Sequence, residues 1–327
     1  MKHLNACFPY ELKYTEVSGP SSSDENMNNH KITPLTELTS SLFKAHNITV
    51  YMKREELNHP LIQGNKWHKL RLNIQEALKQ HKTILLTFGG AYSNHIVATA
   101  VAAQEAGLSS IGIIRGDELA MQPEKWSHTL KQATKNGMVL QFVTRAEYRK
   151  KSEMLKPLQV RFPEAYILPE GGSNALAVEG FKPLMQHIEM QCPDWTHLFS
   201  AVGTGATLAG LIKHAPFSPQ ERQRTILGVA TLKQGDYLIP QIKRWIGEQP
   251  VHYWKLLTQY HGGGYAKKSE FLQQKQQAFE QEFGIRLDPI YTIKMVNAFY
   301  DQLEQGSIKS GSKVILLHTG GLQGNLI

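Results

Sequence analysis

Thr83-Ile-Leu-Leu-Thr-Phe-Gly-Gly-Ala-Tyr-Ser-Asn-His95 begins as an unbroken apolar and β-branched run, stops at two glycines, and leads into a helical pattern over Ser93–Ala106. A short continuous apolar run closed by glycine reads as a strand covered on both faces, and the pattern behind it as the helix that covers one of them. The same order recurs along the chain. Strand patterns lie at Ile48–Lys53, Thr83–Phe88, Ser110–Ile114, Met138–Val143, Tyr166–Leu168, Leu198–Val202, Ile226–Ala230 and Val314–His318. Helical patterns fall between them, among them Trp67–Gln80 and Ala206–His214. Strands separated by helix-length segments predict βαβ units and parallel sheets with helices on both faces, an α/β fold. Such sheets hold their ligands beyond the carboxyl ends of the strands, near helix N-termini. The first forty residues read as irregular, with Ser18–Asn29 a polar, turn-rich loop.

The composition fits this class. Of 327 residues, 41% are hydrophobic and 20% charged, which is ordinary globular usage. The net charge of +8 is spread out, with no basic run of the kind nucleic acid requires, and suits small anionic molecules instead. Cys7 and Cys192 make no disulfide framework and no metal-type spacing. The longest apolar stretch, Ile96–Ala103, is interrupted by Thr99 and too short to span a bilayer. Met1–Tyr14 has no apolar signal region, so a cytoplasmic protein is expected, with no nucleic-acid or membrane partner and no metal.

The loops after the strands carry the candidate chemistry. Gly203, Thr204, Gly205, Ala206 and Thr207 follow a strand and open a helix. Glycines there let several N–H groups converge on one anion, and the threonines add donors, which suits a phosphate monoester. No Lys-Ser/Thr follows as in a Walker loop, and Leu208 stands where a dinucleotide fingerprint has its third glycine. A tight turn without ligand is the other reading of this loop. Gly64-Asn-Lys66 precedes the basic helix pattern Trp67-His-Lys-Leu-Arg71. A lysine at a helix start sits beside the positive end of the macrodipole, which disfavours its charged form, and a neutral amine is what Schiff-base chemistry requires. Taken alone, it reads first as a solvated surface lysine, one of many in this chain. Ser93, Asn94 and His95 place a hydroxyl, an amide and an imidazole at another helix start, for capping or for catalysis, and His95 also reads as a satisfied buried histidine. Tyr265 follows Gly262-Gly-Gly264, and Tyr291 follows Leu287-Asp-Pro-Ile290 and precedes Thr292. Each tyrosine suits a flat ligand or plain core packing.

Taken in order, Gly64-Asn-Lys66, Gly89-Gly-Ala-Tyr-Ser-Asn-His95, Gly203-Thr-Gly-Ala-Thr207 and Leu287-Asp-Pro-Ile-Tyr-Thr292 resemble the 1-aminocyclopropane-1-carboxylate deaminase/D-cysteine desulfhydrase family of pyridoxal-phosphate enzymes, with the tryptophan-synthase-β-like fold. The resemblance runs from Lys53-Arg-Glu-Glu-Leu57 to His318-Thr-Gly-Gly321. It implies two open, twisted sheets with helices on both faces and a small domain, residues 67–175, inserted into a larger one made of 1–66 and 176–327. The cofactor would lie in the cleft between them, and the protein would be a homodimer. It implies that Lys66 joins pyridoxal 5′-phosphate and moves protons at Cα. Asn94 would bond the cofactor's phenolic oxygen, and Ser93 would lie beside the substrate carboxylate. Gly203–Thr207 would hold the phosphate, Tyr265 and Tyr291 would be active-site tyrosines, and Thr292 would face the pyridine nitrogen. Deaminases of the family resemble one another in having Glu after the second Tyr and Leu after the C-terminal His, whereas the desulfhydrases have Thr at both. Thr292 and Thr319 stand on the desulfhydrase side.

The expectation is therefore α,β-elimination from a small amino acid such as D-cysteine, giving pyruvate, ammonia and sulfide. A cyclopropane deaminase, a racemase or dehydratase, and a non-catalytic pyridoxal-phosphate binder are the alternatives. A nucleotide-binding module would leave Gly64-Asn-Lys66 unexplained. Ile293 for a usual glycine, Ala206 for another glycine, His68 for an arginine and the bulky Trp67 are departures from the family pattern, and they bear on substrate identity.

Overall fold

A computed structural model describes residues 31–216, 224–247, 253–264 and 269–322. The Ser18–Asn29 loop and Tyr265 lie outside the described residues. In chain order the strands are β1 (Leu35–Leu38), β2 (Thr49–Lys53), β3 (Ile84–Gly90), β4 (Ser109–Arg115), β5 (Met138–Val143), β6 (Ala165–Ile167), β7 (His197–Val202), β8 (Thr225–Ala230), β9 (Tyr253–Leu257) and β10 (Lys313–Leu317). Four helices position the residues of interest: α1 (Asn65–Lys79), α2 (Asn94–Glu105), α3 (Ala206–His214) and α4 (Thr292–Glu304). The chain forms two compact units. Among the described residues, one is Leu70–Ser173, and the other joins residues 31–69 to residues 174–322.

The unit Leu70–Ser173 contains a four-stranded sheet in the order β5-β4-β3-β6, parallel throughout. Residues 84–89 of β3 are all buried, as a continuous apolar run at the centre of a parallel sheet must be. Ile84, Leu86 and Phe88 pack with Ile111, Ile113, Val143 and Leu158 into the core of this unit. The carboxyl end of β3 runs through Gly89 and Gly90 into the start of α2.

The other unit is built on a six-stranded sheet in the order β1-β2-β10-β7-β8-β9. Alternate residues of one strand enter different cores. Val314 and Leu316 join α4 residues such as Val296 and Phe299, whereas Ile315 and Leu317 join α3 residues such as Leu208 and Leu211. The period of two thus puts α3 and α4 on opposite faces of one sheet. Each such fully buried aliphatic side chain contributes about 1.5–3 kcal/mol.

The pattern misses two strands, both at sheet edges. β1 corrects the expectation that the first forty residues are irregular. Leu35–Leu38 pairs with β2, antiparallel, with Leu35 opposite Lys53. β9 follows β8 in parallel and leaves Tyr253 exposed. An edge strand is covered incompletely, so its sequence lacks the apolar run of the central strands.

Candidate active site

The start of α1 is held from several sides. Asn58 clasps Gly64: its Nδ2 donates to the Gly64 carbonyl at 2.9 Å, and its Oδ1 accepts the Gly64 N–H at 2.9 Å. Gly64 has φ +64°, and a Cβ there would stand 2.1 Å from the Thr319 carbonyl oxygen, so only glycine allows the approach. That carbonyl accepts the Asn65 N–H at 3.2 Å. Thr319 therefore reaches the helix start through its backbone.

The amine of Lys66, the second residue of α1, donates to Asn65 Oδ1 at 2.9 Å. Burial lowers this amine to about 8, against an upward pull from Asp288. Desolvation thus depresses the charge that the helix position was expected to disfavour. Asn65 Nδ2 donates to Thr207 Oγ1 at 3.0 Å, and Lys69 Nζ to Thr204 Oγ1 at 3.2 Å. Burial and the neighbouring Lys66 hold the Lys69 amine well below the usual lysine range. The basic helix and the Gly203–Thr207 loop therefore meet through a pair of side-chain bonds.

That loop follows β7 and opens α3. The first N–H groups of a helix have no partner within it, and Gly205 turns the chain at φ +88°. A Cβ on Gly203 would stand 3.2 Å from Tyr291 Cε1, so the turn and Tyr291 are in close contact. Ala206 is fully buried in the α3 core cluster.

Tyr291 precedes α4, and Asp288 fixes the turn that leads into it. One carboxylate oxygen, Oδ1, accepts the Ile290 N–H at 3.1 Å and also the Tyr291 N–H. The other, Oδ2, is buried without a hydrogen-bond partner among the described residues. Burial raises the carboxyl to about 7, against its backbone bonds and Lys66. Thr292 is fully buried, and its Oγ1 also lacks a partner among the described residues. A buried hydroxyl left so is costly, which marks it as awaiting one. Ile293, the departure beside it, packs into the α4 core cluster.

Ser93 and Asn94 lie in the unit Leu70–Ser173. Ser93 occupies the N-cap position of α2, but its side chain makes no cap bond there, which removes the capping explanation for its hydroxyl. Asn94 is the first residue of α2. His95 is buried and shares a 2.8 Å hydrogen bond with Thr87 Oγ1, a satisfied core histidine.

The remaining departures have structural partners. His68 Nε2 is 2.6 Å from Glu55 Oε2, and its ring lies 5.1 Å from that of Phe181. Burial pushes Glu55 up, but its bonds to His68 and Thr33 and the nearby Lys53 outweigh this and leave it near about 2. Trp67 stacks on His59 at 5.5 Å. Sequence reasoning assigned no role to Asn58, Asn65, Lys69 or Asp288. Lys69 had a signal: three residues after Lys66, it shares that lysine's helix face.

The comparisons with known proteins show the family. A family model described as pyridoxal-phosphate-dependent enzyme matches residues 27–320. A Thermotoga maritima protein, named as a candidate 1-aminocyclopropane-1-carboxylate deaminase, is 29% identical over 90% of this chain and 95% of its own. A D-cysteine desulfhydrase of Klebsiella pneumoniae is 25% identical over 83% of this chain and 86% of its own. Among solved structures, an ACC deaminase homologue superposes with TM-score 0.75 at 24% identity, covering 98% of this chain and 95% of that one. No described helix is long and apolar enough to cross a membrane.

Proposed function

The chain belongs to the family of pyridoxal-phosphate-dependent enzymes, and from that premise we propose that it is an amino-acid lyase that performs α,β-elimination on a small substrate of the D-cysteine type. Its residues fit the cofactor. Lys66 offers an amine whose charge burial disfavours, α3 opens with a glycine turn flanked by the Thr204 and Thr207 hydroxyls and the Lys69 amine, and Thr292 offers a buried hydroxyl with no partner among the described residues. When bound, pyridoxal phosphate supplies a carbonyl for amines and a ring that accepts electrons.

Lys66 would hold the group through its Nζ and, once displaced by the substrate amine, would take the proton from the substrate Cα. Gly203–Thr207 and Lys69 would bind the phosphate, Thr292 would face the ring nitrogen, and Tyr291, packed on Gly203, would border the reacting carbons. Ser93 and Asn94 keep the roles that the resemblance implies, toward the substrate carboxylate and the phenolic oxygen. As the Cα proton goes to Lys66, the Cβ–S bond breaks with its electron pair on sulfur. The net change is D-cysteine plus water to pyruvate, ammonia and hydrogen sulfide.

The observation that carries this reading is Thr292. A hydroxyl does not hold a ring nitrogen protonated as a carboxylate does. A weakly polarised ring suffices where the leaving group itself takes the electron pair, but it serves the opening of a cyclopropane less well. The relatives named as candidate cyclopropane deaminases favour a second reading, in which the product is a four-carbon 2-oxo acid. The test supplies D-cysteine, L-cysteine and 1-aminocyclopropane-1-carboxylate to the loaded wild type and to Thr292→Glu. Pyruvate from D-cysteine, reduced in Thr292→Glu while the cofactor stays bound, is expected. A 2-oxo acid from the cyclopropane alone would overturn the elimination reading.

A further inference from the structure

His318 follows β10 and has no solvent exposure. Its backbone N–H donates to the Lys53 carbonyl at 3.0 Å, which continues the pairing of β10 with β2. The ring is held between two other segments. Nε2 lies 2.8 Å from the Arg286 carbonyl, and Nδ1 lies 3.2 Å from the Gly320 backbone nitrogen. A carbonyl only accepts, and an amide N–H only donates. The two partners therefore place the ring proton: Nε2 carries it and donates to Arg286, and Nδ1 accepts the Gly320 N–H.

Both partners border the site. Arg286 leads through Leu287 into Asp288, whose Oδ1 accepts the Ile290 and Tyr291 N–H groups ahead of Thr292. Gly320 follows Thr319, whose carbonyl accepts the Asn65 N–H beside Lys66. Gly320 takes φ +81°, and a Cβ there would stand 2.7 Å from the Gln63 carbonyl carbon. The turn thus lies directly against the residues that lead into α1. One imidazole joins that turn to the segment that carries Tyr291 and Thr292.

A third group stands beside the ring. Glu56 Oε2 is 3.5 Å from Nδ1 and is buried with no hydrogen bond among the described residues, while Oε1 pairs with Arg54. A lone pair on Nδ1 offers this oxygen nothing. A proton on Nδ1 reverses the preference: the ring no longer accepts from Gly320 and gains a donor for a carboxylate already within reach. The charged groups that face the ring are Glu56, which favours its charged form, and Arg54, which opposes it. The segment before α4 presents the Arg286 carbonyl, and burial favours the neutral ring.

We propose that His318 is a positioning residue for Lys66: its neutral, Nε2-protonated ring fastens the Thr319-Gly320 turn to the segment before α4, and a proton on Nδ1 exchanges Gly320 for Glu56 and releases the turn. The inference deepens the functional reading and rests on Lys66 being the reactive lysine.

The position of the proton is read by nitrogen NMR of the cofactor-free, full-length wild type labelled in its histidine rings, with the His318 signals assigned through its backbone amide. At pH 8 a protonated Nε2 and a bare Nδ1 are expected. A neutral ring protonated on Nδ1 would overturn the proposal. Acid should then protonate Nδ1, with a midpoint about one pH unit lower in Glu56→Gln. An unmoved midpoint, or a ring that stays neutral until the protein unfolds, would overturn the exchange. A second readout ties the ring to the cofactor site. In His318→Asn the amide oxygen can still accept from Gly320 but does not titrate. The ratio of wild-type to His318→Asn affinity for pyridoxal phosphate cancels the titrations of Lys66 and of the ligand. It should be level above the His318 midpoint and fall about tenfold below it, the loss of one hydrogen bond. A ratio level at every pH would overturn the positioning role. If either variant does not fold, the proton position and titration of the wild-type ring still decide. Pyridoxal phosphate captured by another lysine would remove the reading of Lys66, whereas the ring signals report on His318 alone.

Discussion

The starts of α1 and α2 look alike in the sequence, each a small polar cluster with an asparagine opening a helix, yet they are built differently. At α1 the backbone is clasped by Asn58 and Thr319, and partial burial disfavours the charge on the Lys66 amine. At α2 the imidazole is satisfied inside the core and the Ser93 hydroxyl is spared from capping. A helix start can thus be specialised by desolvating a charge under tight backbone restraint, or by leaving a side chain out of the cap it would ordinarily make.

Removing the amine gives the largest effect. Lys66→Ala should abolish the visible absorbance of the loaded protein and all turnover, and retained turnover would end the distinction between the two starts. The next effect is on pH. Only the neutral amine is a nucleophile, and burial sets its titration near 8, so the rate of pyridoxal-phosphate capture should rise with pH and level off above that value. Stopped-flow absorbance should find it roughly 100-fold slower at pH 6 than on the plateau, by simple titration of an amine of that strength. A rate still climbing at pH 10 would mean an ordinary, solvated lysine. Asn58→Ala unfastens Gly64 and should lower stability by about 2–3 kcal/mol, read by urea unfolding, since it removes both clasping bonds and a third to Glu55 Oε2 at 3.1 Å.

The comparison sharpens further at α2. Ser93→Ala should raise KM about tenfold, the loss of one bond to a charged group, with melting nearly unchanged. Ser127→Ala, by contrast, removes a serine whose Oγ does accept a helix N–H, from Leu130 at 3.2 Å, and should cost about 1 kcal/mol. Equal melting losses would show that Ser93 caps α2 after all. The smallest effect is at Thr292. Thr292→Val removes a buried hydroxyl with no partner among the described residues, so the cofactor-free protein should gain stability, by about 1 kcal/mol, while the rise in melting temperature on adding pyridoxal phosphate narrows.

How far the sequence reaches follows from what each feature depends on. The central strands were legible because both faces of β3 and β10 are buried, which leaves a continuous apolar run. β1 and β9 were not, because exposed residues such as Glu37 and Tyr253 interrupt these edge strands, whereas the edge strands β5 and β6 kept a readable run. The glycine turns before Lys66 and α3 were legible as local chemistry. Asp288 was not, because its importance lies in burial by residues far away in the chain, and Lys69 offered only its spacing from Lys66. The departures Ile293, Ala206 and His68 looked like possible changes to the site. The first two proved to be core residues and the third a partner of Glu55.

The most direct measurement is to reduce the cofactor-loaded protein with borohydride, digest it, and locate the modified lysine by mass spectrometry. Lys69 and Lys294 are also desolvated, so the result discriminates among three amines of depressed charge. The phosphopyridoxyl group is expected on Lys66. Its appearance on Lys69 or Lys294, or on no lysine, would contradict the assignment of the chemistry to the start of α1.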